Sequence, residues 1–169
     1  MNNDLTLPDS VQRVAALLGA MQHDKPIVML PESGKTSAEA ARSLGCDVAE
    51  IAKAIVFRRL ADDVAVMILA SGADRVDEAK VAALVGPIGK ANARFVKEKT
   101  GYAIGGVCPI GHPTASLVLI DRKLFNYPSV WAAAGHPHAV FNLTAAQLQA
   151  MTGARTADAS VTPPALSFA

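Results

Sequence analysis

The chain has 169 residues, 51% of them apolar and only 5% aromatic, and its 16 basic and 15 acidic side chains leave a net charge of +1. That length suits one globular domain over residues 1–169, with a core built mainly of Ala, Val, Ile and Leu. The near-neutral balance excludes a protein that grips nucleic acid through a broad basic face, so any RNA contact must rest on a small local patch or on a partner protein.

The opening Met1-Asn2-Asn3-Asp4-Leu5 has no basic segment followed by a long apolar run, which argues against a secretory leader. No stretch approaches the roughly 20 apolar residues needed to cross a bilayer. Cys46 and Cys108 lie in unrelated contexts and suggest no disulfide framework. A cytoplasmic protein with no membrane contact is expected.

In chain order, the first ten residues read as a loose end. Residues 10–22 place Val11, Val14, Ala15, Leu18 and Met21 on one helical face. Ile27-Val28-Met29-Leu30, between Pro26 and Pro31, reads as a strand. Thr36-Ser37-Ala38-Glu39 has the capping-box pattern and opens a helix that stops at Gly45. Residues 52–59 and 64–70 read as strands joined through Ala61-Asp62-Asp63 into a hairpin, the second apolar throughout and so covered on both faces. Helices follow over 77–85 and 92–100, ended by Gly86-Pro87 and Gly101. A glycine-rich loop at 101–112 leads to strands near 116–121, 129–134 and 138–143. Thr144 then caps a last helix ending at Gly153, and Val161-Thr162-Pro163-Pro164 reads as a loose tail. Consecutive strands mixed with helices predict an α+β or mixed α/β domain, not a regularly alternating parallel sheet.

Four features could carry chemistry. Lys53 shares a strand face with Ile55 and Phe57, opposite Ala54 and Val56. A cation on an apolar face either snorkels to water or sits at a pocket rim, holding a phosphate or an acyl ester. The loop from Gly101 to Pro113 holds four glycines and two prolines, and its adjacent Gly105 and Gly106 allow a ligand close to backbone N–H groups that favour an oxyanion. The plain alternative is an irregular turn. Its spacing is neither that of a P-loop nor that of a dinucleotide fingerprint.

Cys108 lies in the same loop with His112 nearby, so a thiol nucleophile with a histidine base competes with a small packing side chain. Finally, His136 and His138 alternate on a strand and, with His112, could chelate a metal. No acidic partner or HExxH spacing accompanies them, and a histidine contacting ligand or backbone is the simpler reading.

Taken together these segments are familiar. Residues 41–57, around Lys53, are similar to the lysine-bearing strand of the YbaK/ProX family, the aminoacyl-tRNA deacylases related to the editing domain inserted in bacterial prolyl-tRNA synthetases. The loop from Thr100 to His112 resembles that family's glycine loop, and Ala134-Gly135-His136-Pro137-His138 through Thr144 resembles its C-terminal strand and helix. The similarity spans roughly residues 24–155.

The resemblance implies a compact α/β fold, a curved mixed sheet or partial barrel flanked by helices. It also implies hydrolysis of the ester between an amino acid and the terminal ribose of tRNA. Lys53 would contact the terminal adenosine phosphate or the aminoacyl group, and Gly105 and Gly106 would shape the pocket and position the ester carbonyl. Gly101, Tyr102, Cys108, His112 and His136 are the expected substrate contacts. A ribose hydroxyl of the substrate would help activate water, so no metal or other cofactor is expected.

Proline tRNA carrying Ala or Cys is the expected substrate, with prolyl-tRNA synthetase a candidate partner and no DNA contact. Two alternatives remain open: a non-catalytic tRNA- or nucleotide-binding module on the same fold, and a Cys108-dependent hydrolase of small esters or thioesters.

Overall fold

The computed structural model describes residues 7–161. In chain order the elements are α1 (Asp9–Ala20), β1 (Ile27–Met29), α2 (Ser37–Leu44), β2 (Ala52–Arg59), β3 (Ala65–Ser71), β4 (Arg75–Val76), α3 (Glu78–Val85) and β5 (Ile88–Lys90). They continue as α4 (Ala93–Thr100), β6 (Leu117–Asp121), β7 (Val130–His136), β8 (Ala139–Leu143), α5 (Ala145–Thr152), β9 (Arg155–Ala157) and β10 (Ser160–Val161). A five-stranded sheet has the order β5-β2-β3-β6-β9, a three-stranded sheet β1-β8-β7, and β4 pairs with β10. The architecture is mixed α/β, with no closed barrel among the described residues.

Every residue of β3 is buried, as its unbroken apolar run predicts. It pairs antiparallel with β2 and parallel with β6. Side chains then segregate by strand parity: Ala52, Ala54 and Val56 join the main core, and Phe57 packs with Val66, Ile68 and Ala70 on the other face.

The helices end where their local chemistry dictates. Thr36 accepts from the Glu39 amide at 3.1 Å, which is half of a capping box, and Gly45 closes α2 in the left-handed region at φ 68°. The complete box forms at Thr144 and Gln147. Asp77 and Asn92 cap α3 and α4.

Several expectations change. On α1, Val11, Val14 and Leu18 are buried but Met21 is 43% exposed and Ala15 also faces out, because the helix stops at Ala20 and only one narrow stripe meets β7. Asp9 and Ser10 belong to α1 rather than to a loose end, and residues 1–6 lie outside the described part. Val161 pairs with Arg75, so the chain stays in a strand up to the last described residue, and Thr162 to Pro164 lie beyond it.

The short strands β4, β5, β9 and β10 carry no alternation long enough to read; their partners make them strands. The most demanding of these anchors is Asp121, fully buried at the end of β6. Its carboxylate accepts from the Ala159 amide and the Ser160 hydroxyl, both at 2.9 Å, and so ties β10 to the main sheet. Replacing Asp121 with Ala orphans both donors in the interior. A loss of about 2–3 kcal/mol in urea unfolding is expected.

Candidate active site

The backbone of β2 explains where a deep opening lies. The Arg59 amide donates to the Val64 carbonyl and the Gly72 amide to the Ile51 carbonyl. These two bonds set the pleat, so odd-numbered residues of β2 turn their backbone polar groups toward β3 and even-numbered ones turn away. The even edge is partly covered: Leu60 donates to Pro87, and β5 pairs with Phe57 to Arg59. At the other end a single parallel bridge joins Ile51 to Trp131 of β7. Between these two closures no further bridge pairs β2 with β7, which leaves a gap in the ladder.

A cavity of about 470 Å³ occupies the gap. Its walls are Ile51 to Ile55 of β2, Trp131 to Ala133 of β7, Gly34 to Ser37 with Ala40 at the start of α2, and Ile104, Gly105 and Val107 of the glycine loop. A second pocket of about 150 Å³ shares Ala54, Ile55, Ile104, Gly105 and Val107, so the groove continues along the β2 edge under the loop.

Lys53 lines this cavity and is half-buried. Its ammonium donates to the Asp74 carbonyl. Burial lowers its pKa from the ordinary lysine range, and the nearby Asp74 carboxylate opposes that shift. The Asp74 carboxylate also lies 3.9 Å from the Lys123 ammonium.

The glycine loop divides into two parts. Gly105 lines the cavity at φ 94°, and a Cβ there would stand 3.1 Å from Cγ of Lys35, whose chain lies across the rim. At Gly106 a Cβ would meet the backbone of His136 at 2.8 Å, so only glycine lets the loop approach the end of β7. The Gly106 amide closes a turn on the Ala103 carbonyl at 3.0 Å, which engages one of the two amides expected to face the ester.

Gly101, Tyr102, Cys108 and His112 stand apart from the cavity lining, in the part of the loop that packs toward α1. Tyr102 is buried; its hydroxyl donates to the Ile110 carbonyl at 2.7 Å, and Arg13 stacks on its ring. Burial and the neighbouring Cys108 push its pKa up to about 12. Arg13 and Lys97 both reach the Gly101 carbonyl, at 3.3 Å.

Cys108 is fully buried, and desolvation pushes its thiol up to about 12. His112 addresses the Cys108 carbonyl rather than its sulfur, with Nε2 at 2.8 Å. A carbonyl only accepts, so Nε2 carries the proton and Nδ1 takes the Ser116 hydroxyl at 2.8 Å. Burial lowers the His112 pKa, consistent with the neutral ring. The thiol–base dyad therefore has no geometric footing here.

His136 uses Nδ1 to accept from the His138 amide, and His138 Nδ1 meets the Leu30 carbonyl, both at 3.1 Å. No three His, Cys, Asp or Glu side chains converge on a possible metal position among the described residues.

Sequence reasoning passed over Lys35, Trp131 and the Ala132–Ala133 wall. The lone tryptophan and a lysine directly after Gly34 were the available signals. Neither shows in the chain which cavity it meets.

With this geometry in view, the relatives are informative. The aminoacyl-tRNA editing domain family matches residues 31–151, and the chain belongs to that family. It aligns over 92% of its length with 99% of a solved chain described as a "putative trans-editing enzyme for prolyl tRNA synthetase", at TM-score 0.86 and 40% identity. A second solved chain, from work on grafting linear epitopes onto scaffold proteins, is 37% identical at TM-score 0.85 over 92% of this chain and 99% of that one. The uncharacterized protein YwhH of Bacillus subtilis (strain 168) is 29% identical over 140 residues, covering 82% of this chain and 88% of its own. Among the described residues no helix is long and apolar enough to cross a membrane.

Two outcomes follow from the loop. A thiol reagent at pH 8 should modify Cys46 in the folded protein and reach Cys108 only after denaturant is added, read as the number of thiols released. Gly106→Ala should cost roughly 1–3 kcal/mol in chemical denaturation, the usual range for overpacking, because the His136 backbone cannot swing aside as a side-chain tip would.

Proposed function

We propose that the chain, acting as one editing domain, is a trans-acting aminoacyl-tRNA deacylase. It hydrolyses the ester joining a wrongly attached amino acid to the terminal ribose of tRNA. The observation that carries this reading is the cavity where β2 and β7 part, which sets Lys53 and Gly105 among small side chains. Its volume of about 470 Å³ suits an aminoacyl group with part of the terminal nucleoside. Membership of the editing family supports the same chemistry.

In the reaction water adds to the ester carbonyl and the carbon–oxygen bond to the ribose breaks. The ribose oxygen recovers a proton, leaving free amino acid and uncharged tRNA. An aminoacyl ester is already activated, so orientation and stabilisation of the developing oxyanion suffice, with a ribose hydroxyl of the substrate assisting the water. Lys53 supplies positive charge at the cavity wall, toward the terminal phosphate or the aminoacyl group.

Proline tRNA charged with alanine or cysteine is the proposed substrate. Ala40, Ala52, Ala54, Ala132 and Ala133 leave room for a small side chain, and Ile51, Val140 and Trp131 bound it. Each methylene in such a pocket separates substrates by about 1–3 kcal/mol. The chemistry named for the 40% identical structure points to the same tRNA. Delivery by prolyl-tRNA synthetase would offset the weak overall charge.

The test is deacylation of proline tRNA carrying alanine, cysteine, serine or 2-aminobutyrate. The native protein should clear at least one of these quickly, and Lys53→Ala should slow it by about tenfold or more. Cys108→Ala should stay close to native activity. If the native protein clears none, the enzymatic reading falls and a binding module on this fold takes its place.

A further inference from the structure

Two lysines line the cavity, and the fold engages the ammonium of only one of them. Lys53 is half-buried and donates to the Asp74 carbonyl. Lys35 is exposed. Its backbone amide donates to the Ser33 hydroxyl oxygen at 3.3 Å, and among the described residues its ammonium has neither a hydrogen bond nor an ion pair.

The backbone beneath Lys35 is nonetheless fixed. The Gly34 amide donates to the Pro137 carbonyl at 2.6 Å, and a Cβ at Gly34 would stand 2.9 Å from Leu30 Cδ1 and 3.2 Å from the Ala40 Cβ. From this base the aliphatic part of Lys35 crosses to Gly105, whose missing side chain leaves it room. A Cβ there would come within 3.1 Å of Lys35 Cγ and 3.8 Å of its Cδ. The stem is thus held at the rim, between the start of α2 and the glycine loop, with its charge one methylene beyond Cδ.

We infer that Lys35 holds the phosphodiester of the terminal nucleotide, the substrate anion nearest the scissile ester. This rests on the deacylase reading and adds which residue receives the nucleic-acid backbone. When the aminoacyl group and part of the nucleoside fill the cavity, the 5′-phosphate stands across the ribose from the esterified hydroxyl. The rest of the RNA leaves from that phosphate toward solvent. A phosphodiester kept partly in water meets a cation at the rim with little desolvation of either group. A lysine suits it as a point charge on a flexible stem and needs no bidentate geometry. Lys53, already satisfied by a carbonyl of the wall, is left to face the aminoacyl ester.

The test removes the charge from either partner. Lys35→Met keeps an aliphatic stem against Gly105 and deletes the ammonium, and its melting temperature should match the native one. The substrate is an alanylated CCA trinucleotide whose last linkage is either the natural phosphodiester or an uncharged methylphosphonate of similar shape. For the native protein the neutral linkage should lower kcat/KM at least about fivefold, mostly through KM. For Lys35→Met it should lower it less than about twofold. Equal losses in the two proteins, or none in either, overturn the inference and leave the deacylase reading standing. The salt dependence of KM for full alanyl-tRNA gives an independent measurement. The slope of log KM against log salt concentration should fall by about 0.7 in Lys35→Met and be restored in Lys35→Arg. An unchanged slope overturns the inference, and this measurement decides alone if the trinucleotide is not cleaved. Failure of the native protein to cleave any aminoacyl-tRNA overturns both readings.

Discussion

The site depends on two strands that begin as neighbours and then separate. A single bridge, Ile51 to Trp131, links the segment leading into β2 with β7, and no further pairing continues it among the described residues. Right-handed twist accumulates in any sheet, so a contact at one end does not oblige two strands to stay together. The separation produces a cavity inside the fold without removing side chains from its core.

Everything around the gap is arranged to keep it open and shaped. The glycine loop lies along the far side, held by Gly106 against His136 and by Tyr102 reaching Ile110. Lys35 lies over Gly105 at the rim, and the start of α2 closes another wall. The buried tyrosine and cysteine and the half-buried histidine of the loop thus serve its shape. An editing site needs that rigidity, because discriminating between small side chains depends on walls that do not yield.

Electrostatics adds a second constraint. Half-burial of Lys53 disfavours its charged form, and the surrounding carbonyl and carboxylate of Asp74 work against that penalty. The result is a half-buried cation at the cavity wall, with Lys35 at the rim, in a chain whose overall charge is close to neutral.

The sequence by itself determined the helices, the main strands and the family. Caps at Thr36 and Thr144, stops at Gly45, Gly101 and Gly153, and the apolar run of β3 are local signals, legible because capping and burial on both faces act through neighbouring residues. Lys53 and the glycine pair were legible for the same reason, as departures from local pattern. Tertiary structure alone decided which of these share a cavity. Tyr102, Cys108 and His112 stand near Gly105 in the chain yet turn toward α1, and Trp131 and Lys35 come from distant segments to line the site. The break in the ladder between β2 and β7 has no signature in side chains at all. Whether a backbone amide finds a partner depends on which strand lies beside it, and only the paths of β5 and β7 settle that.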